Sequence, residues 1–307
     1  GPITACIDVS ARAPGCPSIR RIISLHAGVR RIDCAVRILK NADPLGEASV
    51  AFPFDARAPR FRYEGVLGSI RPGEDTLPGA SLNTVAVQNW LSLSDAQRTI
   101  LWSCAECPIV SLGDLWPSRV SPAHTCALPA TPAPAVTNAV ALGRGWVFSR
   151  ILANNFGTNF SVSQTGDFLF RYAVTSADAP VTDTGASWFG WEAVTPLSCI
   201  TTSGPAEGPY PPCGGLAEVD SQDVEILASK LAEEGGGLVV RLWNHAGQDR
   251  AVQLTLSGHR LAGAEITSMV EEGTGEALPV EGSVLRLVVP ASQIVSVRLR
   301  MAAGRSR

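Results

Sequence analysis

Asn154, Asn155, Thr158, Asn159 and Gln164 crowd into one stretch between two apolar runs, Trp146–Leu152 and Phe168–Val174. An amide carries both donors and acceptors, as a sugar hydroxyl does. Amides and hydroxyls at that density therefore point to recognition of a neutral polyhydroxyl ligand, and not to bond making or breaking. A second role is open. Asn tolerates left-handed backbone angles and Gly meets no steric penalty there, so the same residues serve a turn. The flanking runs are rich in Val, Phe, Ile and Tyr and read as strands, which predicts a hairpin with the polar stretch at its tip. Arg171, inside the second run, is either a further ligand contact or half of a cross-strand ion pair.

Residues that could carry a reaction are scattered. The four histidines, His26, His124, His245 and His259, stand singly, and none pairs with Asp at a metal-ligand spacing. No Ser/His/Asp arrangement, phosphate loop, dinucleotide fingerprint or HExxH occurs. No residue is assigned a catalytic role, and none a metal-ligating one. Cys104 and Cys107 form a lone CxxC. A structural zinc site needs a second pair, and the nearest candidates, His124 and Cys126, fall in a loop. Both cysteines are read as structural. Eight cysteines without a framework spacing, in a chain of 307 residues, predict mostly buried thiols in a reducing compartment, the cytoplasm. Glu47 reads either as an acid or base or as a solvated turn carboxylate.

Composition sets the frame for these groups. Charged residues are 17% against 45% hydrophobic, which excludes a disordered chain. The 29 Gly and 22 Pro, widely spread, suit strands joined by turns. A net charge of −3 without a basic stripe argues against a nucleic-acid partner, and no apolar run reaches the eighteen residues of a membrane span. The chain starts Gly1–Pro2 and runs at once into Ile3, Ala5, Ile7 and Val9, a strand without a lead-in. That predicts a C-terminal fragment of a longer protein.

Along the chain, strands are predicted at Ile3–Val9, Ile19–Leu25 and Arg30–Leu39, with Ile32, Cys34, Val36 and Ile38 on one face of the third. Pro53, within Ala51-Phe-Pro-Phe54, marks an edge strand or a bulge. Residues 55–80, with Arg57, Arg60, Arg62 and Arg71, read as a long surface loop or a loose hairpin. Two strands flank a turn at Asp95–Arg98, with Trp90 and Trp102 as packing residues. Residues 117–138, rich in Pro, Ala and Thr, form a surface excursion. A loop at 175–187 precedes Trp188-Phe-Gly-Trp-Glu192, whose two Trp are candidate sugar-stacking residues. Four Pro and four Gly in residues 203–215 mark a linker. Beyond it, runs at Val224–Leu227, Leu238–Trp243, Val252–Leu256, Ala264–Ser268, Leu285–Val289 and Ile294–Leu299 predict a small β-sandwich.

Several stretches resemble glycoside hydrolase family 38, the α-mannosidases, in the family's own order. They are A-F-P-F after Glu47, Gln88-Asn-Trp90 with an acidic turn, N-N-F-x-T-N-F followed by G-x-F-x-F-R-Y, Thr195-Pro-Leu197 after the aromatic–Gly segment, and R-L-W-N at Arg241–Asn244. The resemblance covers only the family's C-terminal β-rich region. It implies an all-β fold: a large antiparallel supersandwich of the galactose-mutarotase-like kind over residues 1–202, a linker at 203–215, a smaller sandwich at 216–301 and a tail at 302–307. It also implies that zinc and the nucleophilic aspartate sit in an N-terminal catalytic domain with no counterpart here, so that domain and an α-mannoside are the expected partners. Asn154, Asn155, Thr158, Asn159 and Arg171 are the candidate substrate contacts. The alternative is a stand-alone carbohydrate-binding module without hydrolase activity.

Overall fold

The computed structural model describes residues 1–41, 47–78, 80, 82, 84–115, 141–153, 164–204 and 213–302. The chain divides into two compact units, Gly1–Val181 with Gly185–Pro196, and Thr182–Thr184 with Leu197–Arg307. Among the described residues the fold is almost entirely antiparallel β.

In the first unit the strands are β1 (Thr4–Ala13), β2 (Cys16–His26), β3 (Ile32–Lys40), β4 (Glu47–Arg57), β5 (Arg60–Gly65), β6 (Gly68–Ile70), β7 (Val85–Ala86), β8 (Leu91–Ser94), β9 (Thr99–Cys104), β10 (Ile109–Leu112), β11 (Arg144–Ala153) and β12 (Gly166–Ala177). Eight of them form one sheet in the order β1-β2-β3-β12-β9-β8-β5-β6, and four form another in the order β4-β11-β10-β7. One apolar cluster draws on both layers, with Val36, Ile38, Leu91, Trp102, Phe170 and Tyr172 from the large sheet and Val110, Leu112 and Val147 from the small one. Phe52 bridges the layers, its ring 5.8 Å from Trp102 and 4.9 Å from Tyr172. Aromatic pairs at such separations add to what burial alone contributes.

Four strands do not cover eight. Ile7 pairs with Ile23 and Leu25 with Ile32 on the large sheet's inner face. Yet Ile7 is 64%, Leu25 52% and Ile32 42% exposed. An aliphatic patch of that kind is uncommon on a soluble surface unless something covers it.

Two expectations change here. First, β11 and β12 are not a hairpin. The former pairs with β4 and β10 and the latter with β3 and β9, so residues 154–163 connect two different sheets. Of the two readings of residues 55–80, the hairpin is the one found, as β5–β6 with Phe61 and Tyr63 buried. Second, residues 183–187, expected within the loop at 175–187, instead open the α-helix α1 (Asp183–Val194). Gly185 and Gly190 lower its intrinsic propensity by about 1 kcal/mol each. Packing overrides that, because Ala186 and Phe189 lie against Trp90, Leu101 and Ala173. Gly190 also permits the approach, since a Cβ there meets Asn89 Cβ at 2.9 Å. Pro53 does lie on an edge strand beside a register shift, as the missing N–H requires.

The second unit holds β13 (Ala217–Val219), β14 (Val224–Leu231), β15 (Leu238–Asn244), β16 (Arg250–Leu256), β17 (Leu261–Thr267), β18 (Gly273–Leu278), β19 (Val280–Glu281), β20 (Val284–Val289) and β21 (Ile294–Met301). They form the sheets β13-β16-β20-β19 and β14-β15-β21-β17-β18. Val240, Leu242, Leu254, Leu256, Leu285, Val289, Val297 and Leu299 make the core. Those on β16 and β20 alternate with less buried neighbours, the signature of a sandwich strand.

Glu271 locks the turn after β17. Although not glycine it has φ +66°. Its carboxylate accepts from Lys230 Nζ and from the Glu233 backbone N–H, and its carbonyl accepts from Arg298. The Lys230 bond, followed by that of Glu233, holds its acid below the ordinary 4.5. A depressed folded value means the stabilisation is complete above pH 4.5 and is lost as pH falls through the folded value. Glu271→Gln is expected to flatten the acid limb of the second unit's melting temperature below pH 4.5. A calorimetric profile unchanged from wild type contradicts this.

Candidate functional site

The polar loop leaves from two defined roots. Ala153, closing β11, pairs with Glu47, and Gly166, opening β12, pairs with Lys40. Asn154, Asn155, Thr158 and Asn159 themselves lie outside the described residues. At the first root Glu47 meets Arg150 at 2.5 Å, with only 18% and 8% of their side chains exposed. Glu47 is thus neither solvated nor in a turn. It is a strand residue in a largely buried ion pair, a role invisible without β11 beside it.

Arg171 projects from the outer face of β12 and is well exposed. Its Nε donates to Glu106 Oε1 at 2.5 Å, and its backbone N–H donates to Glu106 Oε2 at 2.7 Å. The ion-pair role is therefore the one seen. Sequence reasoning passed over Glu106. The signal was there in the turn Cys104-Ala-Glu-Cys107, where a carboxylate two residues past a strand end can reach the neighbouring strand.

Cys104 and Cys107 are both buried. Burial pushes the Cys104 thiol up to about 12. The Cys107 thiol donates to the Arg150 carbonyl at 3.1 Å. These are packing residues, as the lone CxxC suggested. The expectation of mostly buried thiols fails elsewhere, because Cys6, Cys199 and Cys213 are exposed. Cys6 sits on edge strand β1, where no layer covers it. Brief iodoacetamide treatment at pH 8 is expected to label Cys6, Cys199 and Cys213, while Cys104, about one part in ten thousand thiolate at that pH, reacts only after unfolding. Peptide mass spectrometry reads the result, and early label on Cys104 contradicts it.

His26 and His245 belong to different units. His26 bonds Thr4 Oγ1 at 3.0 Å and lies 3.4 Å from Asp33. His245 lies 2.9 Å from Glu225, both nearly buried. Among the described residues no three of His, Cys, Asp and Glu converge as metal ligands do. None of their helices is long and apolar enough to cross a membrane. Trp188 on α1 is 48% exposed, whereas Trp191 is half-buried.

Residues 223–297 match the model of the glycosyl hydrolases family 38 C-terminal beta sandwich domain. Among solved structures, an α-mannosidase from Enterococcus faecalis V583 superposes with a TM-score of 0.64 at 14% identity, over 92% of this chain and 28% of that one. A glycosyl hydrolase family 38 protein from Enterococcus faecalis gives 0.64 at 13% identity, over 92% and 29%. The fold is shared along nearly the whole chain, which spans under a third of either relative. No curated protein matches in sequence.

Proposed function

We propose, from the premise that residues 223–297 are a family 38 C-terminal β sandwich domain, that this chain is the non-catalytic β portion of an α-mannosidase-like glycoside hydrolase. The observation that carries this reading is that match, set on a two-unit β fold shared with a solved α-mannosidase. The parent reaction is zinc-dependent retaining hydrolysis of α-mannosides. Such hydrolysis needs two carboxylates about 5 Å apart around the sugar, and these, with the zinc, belong in this reading to the catalytic domain.

The chain's own part is support. The uncovered aliphatic face of Ile7, Leu25 and Ile32 suits burial against the catalytic domain, where removal from water contributes about 25 cal/mol per Å². Asn154, Asn155, Thr158, Asn159 and Arg171 supply polar contacts to the α-mannoside. Among the described residues the seven cysteines are free thiols, in keeping with a reducing, cytoplasmic setting. Purified 307-residue chain is expected to release no p-nitrophenol from p-nitrophenyl α-mannoside, and turnover by pure material refutes the reading. The half-exposed Trp188 favours a second reading, a stand-alone sugar-binding module. That one requires sugar affinity that Trp188→Ala abolishes.

A further inference from the structure

The large sheet has a second face, turned away from the four-stranded layer. Helix α1 covers part of it, where Ala186 and Phe189 lie on Leu101 and Ala173. Beyond the last turn of α1 the face is floored by small side chains, and two cavities of about 250 and 450 Å³ open there. They share Ile22 and Ala35 and so form one trough across β2, β3 and β12. Taken together they reach the size of small-molecule sites, about 300–1,000 Å³.

The rim is charged yet balanced. Arg20 holds Asp8 at 2.5 Å, Arg37 holds Asp167 at 2.5 Å, and Arg171 holds Glu106 at 2.5 Å. Asp33 is shared between Arg31 at 2.8 Å and His26 at 3.4 Å. Each of these arginines already has a carboxylate, so an anionic ligand gains only by breaking a pair. A neutral hydroxyl need break none. It donates to the carboxylate and accepts from the guanidinium N–H groups left over. The pairs also hold these long side chains in place before binding, which lowers the ordering cost. Ile22 and Leu169 line the trough between the pairs, an apolar floor for the C–H faces of a sugar ring.

We propose that this trough binds a neutral oligosaccharide laid across β2, β3 and β12 between the paired arginines. The inference goes beyond the α-mannosidase reading and does not need it. The test is titration calorimetry of the full chain with mannotriose, maltotriose and cellotriose. At least one binds. Ala35→Trp, which fills both cavities from a half-buried outer position, weakens it about tenfold or more with the melting temperature unchanged. Trp188→Ala leaves affinity within about twofold. Should Ala35→Trp fail to fold, Leu169→Trp at an exposed position blocks the second cavity instead. Absence of binding by all three sugars, wild-type affinity in the folded blocking variant, loss of affinity in Trp188→Ala, or competition by inorganic phosphate each overturns the proposal. Maltotriose or cellotriose binding without mannotriose leaves the trough standing and counts against the mannoside reading alone.

Discussion

Trp102→Ala is expected to lower the unfolding free energy of the first unit by about 3–5 kcal/mol, the range for emptying a buried aromatic site. Trp102 is fully buried, with Phe52 5.8 Å and Tyr172 5.7 Å from its ring. Those partners come from both sheets, so the cavity opens where the layers meet and neither can collapse alone. The indole N–H is buried without a hydrogen-bond partner among the described residues. Its removal therefore orphans no other group, and the whole loss is one of packing. Trp102→Phe sheds that unpaired donor while keeping a ring, so it costs distinctly less. Urea unfolding followed by near-ultraviolet circular dichroism measures both. A loss under about 1 kcal/mol for Trp102→Ala, the size of a surface substitution, contradicts the two-layer core.

Asn244→Ala is expected to cost the second unit about 3 kcal/mol, and Asn244→Asp more. Asn244 is fully buried at the end of β15. Its Nδ2 donates to the carbonyls of Gln248, Val289 and Pro290 at 2.8, 2.9 and 3.1 Å, and its Oδ1 accepts from the Ala246 N–H at 2.9 Å. One side chain thus ties the β15–β16 turn to the segment after β20. Truncation leaves several buried groups unpaired, each worth about 1–3 kcal/mol. Aspartate turns a carboxylate toward three carbonyl oxygens, a repulsion alanine does not create. Denaturant unfolding of the second unit orders the variants, and an Asn244→Asp protein as stable as wild type sinks this account.

Both positions show how far the residue pattern reaches. Trp102 was legible as a packing residue because it closes the apolar run Ile100-Leu-Trp102 beside a clear turn. That turn is built as its residues imply, with Asp95 Oδ1 accepting from the N–H groups of Gln97 and Arg98. The six predicted runs of the second unit all became strands. Their cores alternate with period two, and that signal is local. The strands β13, β18 and β19 were missed, since they are short or, like β18, glycine-bearing and exposed. Helix α1 was missed for the opposite reason. Its two internal glycines argue against a helix, and only Trp90, Leu101 and Ala173, distant in sequence, make it favourable.

The candidate site divides along the same line. Residue types alone told that this chain offers amides, hydroxyls and an arginine but no reactive constellation. That is a matter of inventory and spacing, which need no fold. They could not tell that Arg171 faces Glu106, that Glu47 is buried against Arg150, or that the two runs flanking the polar loop belong to different sheets. Which strand lies beside which is decided by closing two layers around one core. That closure joins residues more than a hundred positions apart, such as Arg37 and Asp167. Periodicity records the face a side chain turns inward. The neighbour it finds there, and the trough left on the other side, exist only once the sheet is assembled.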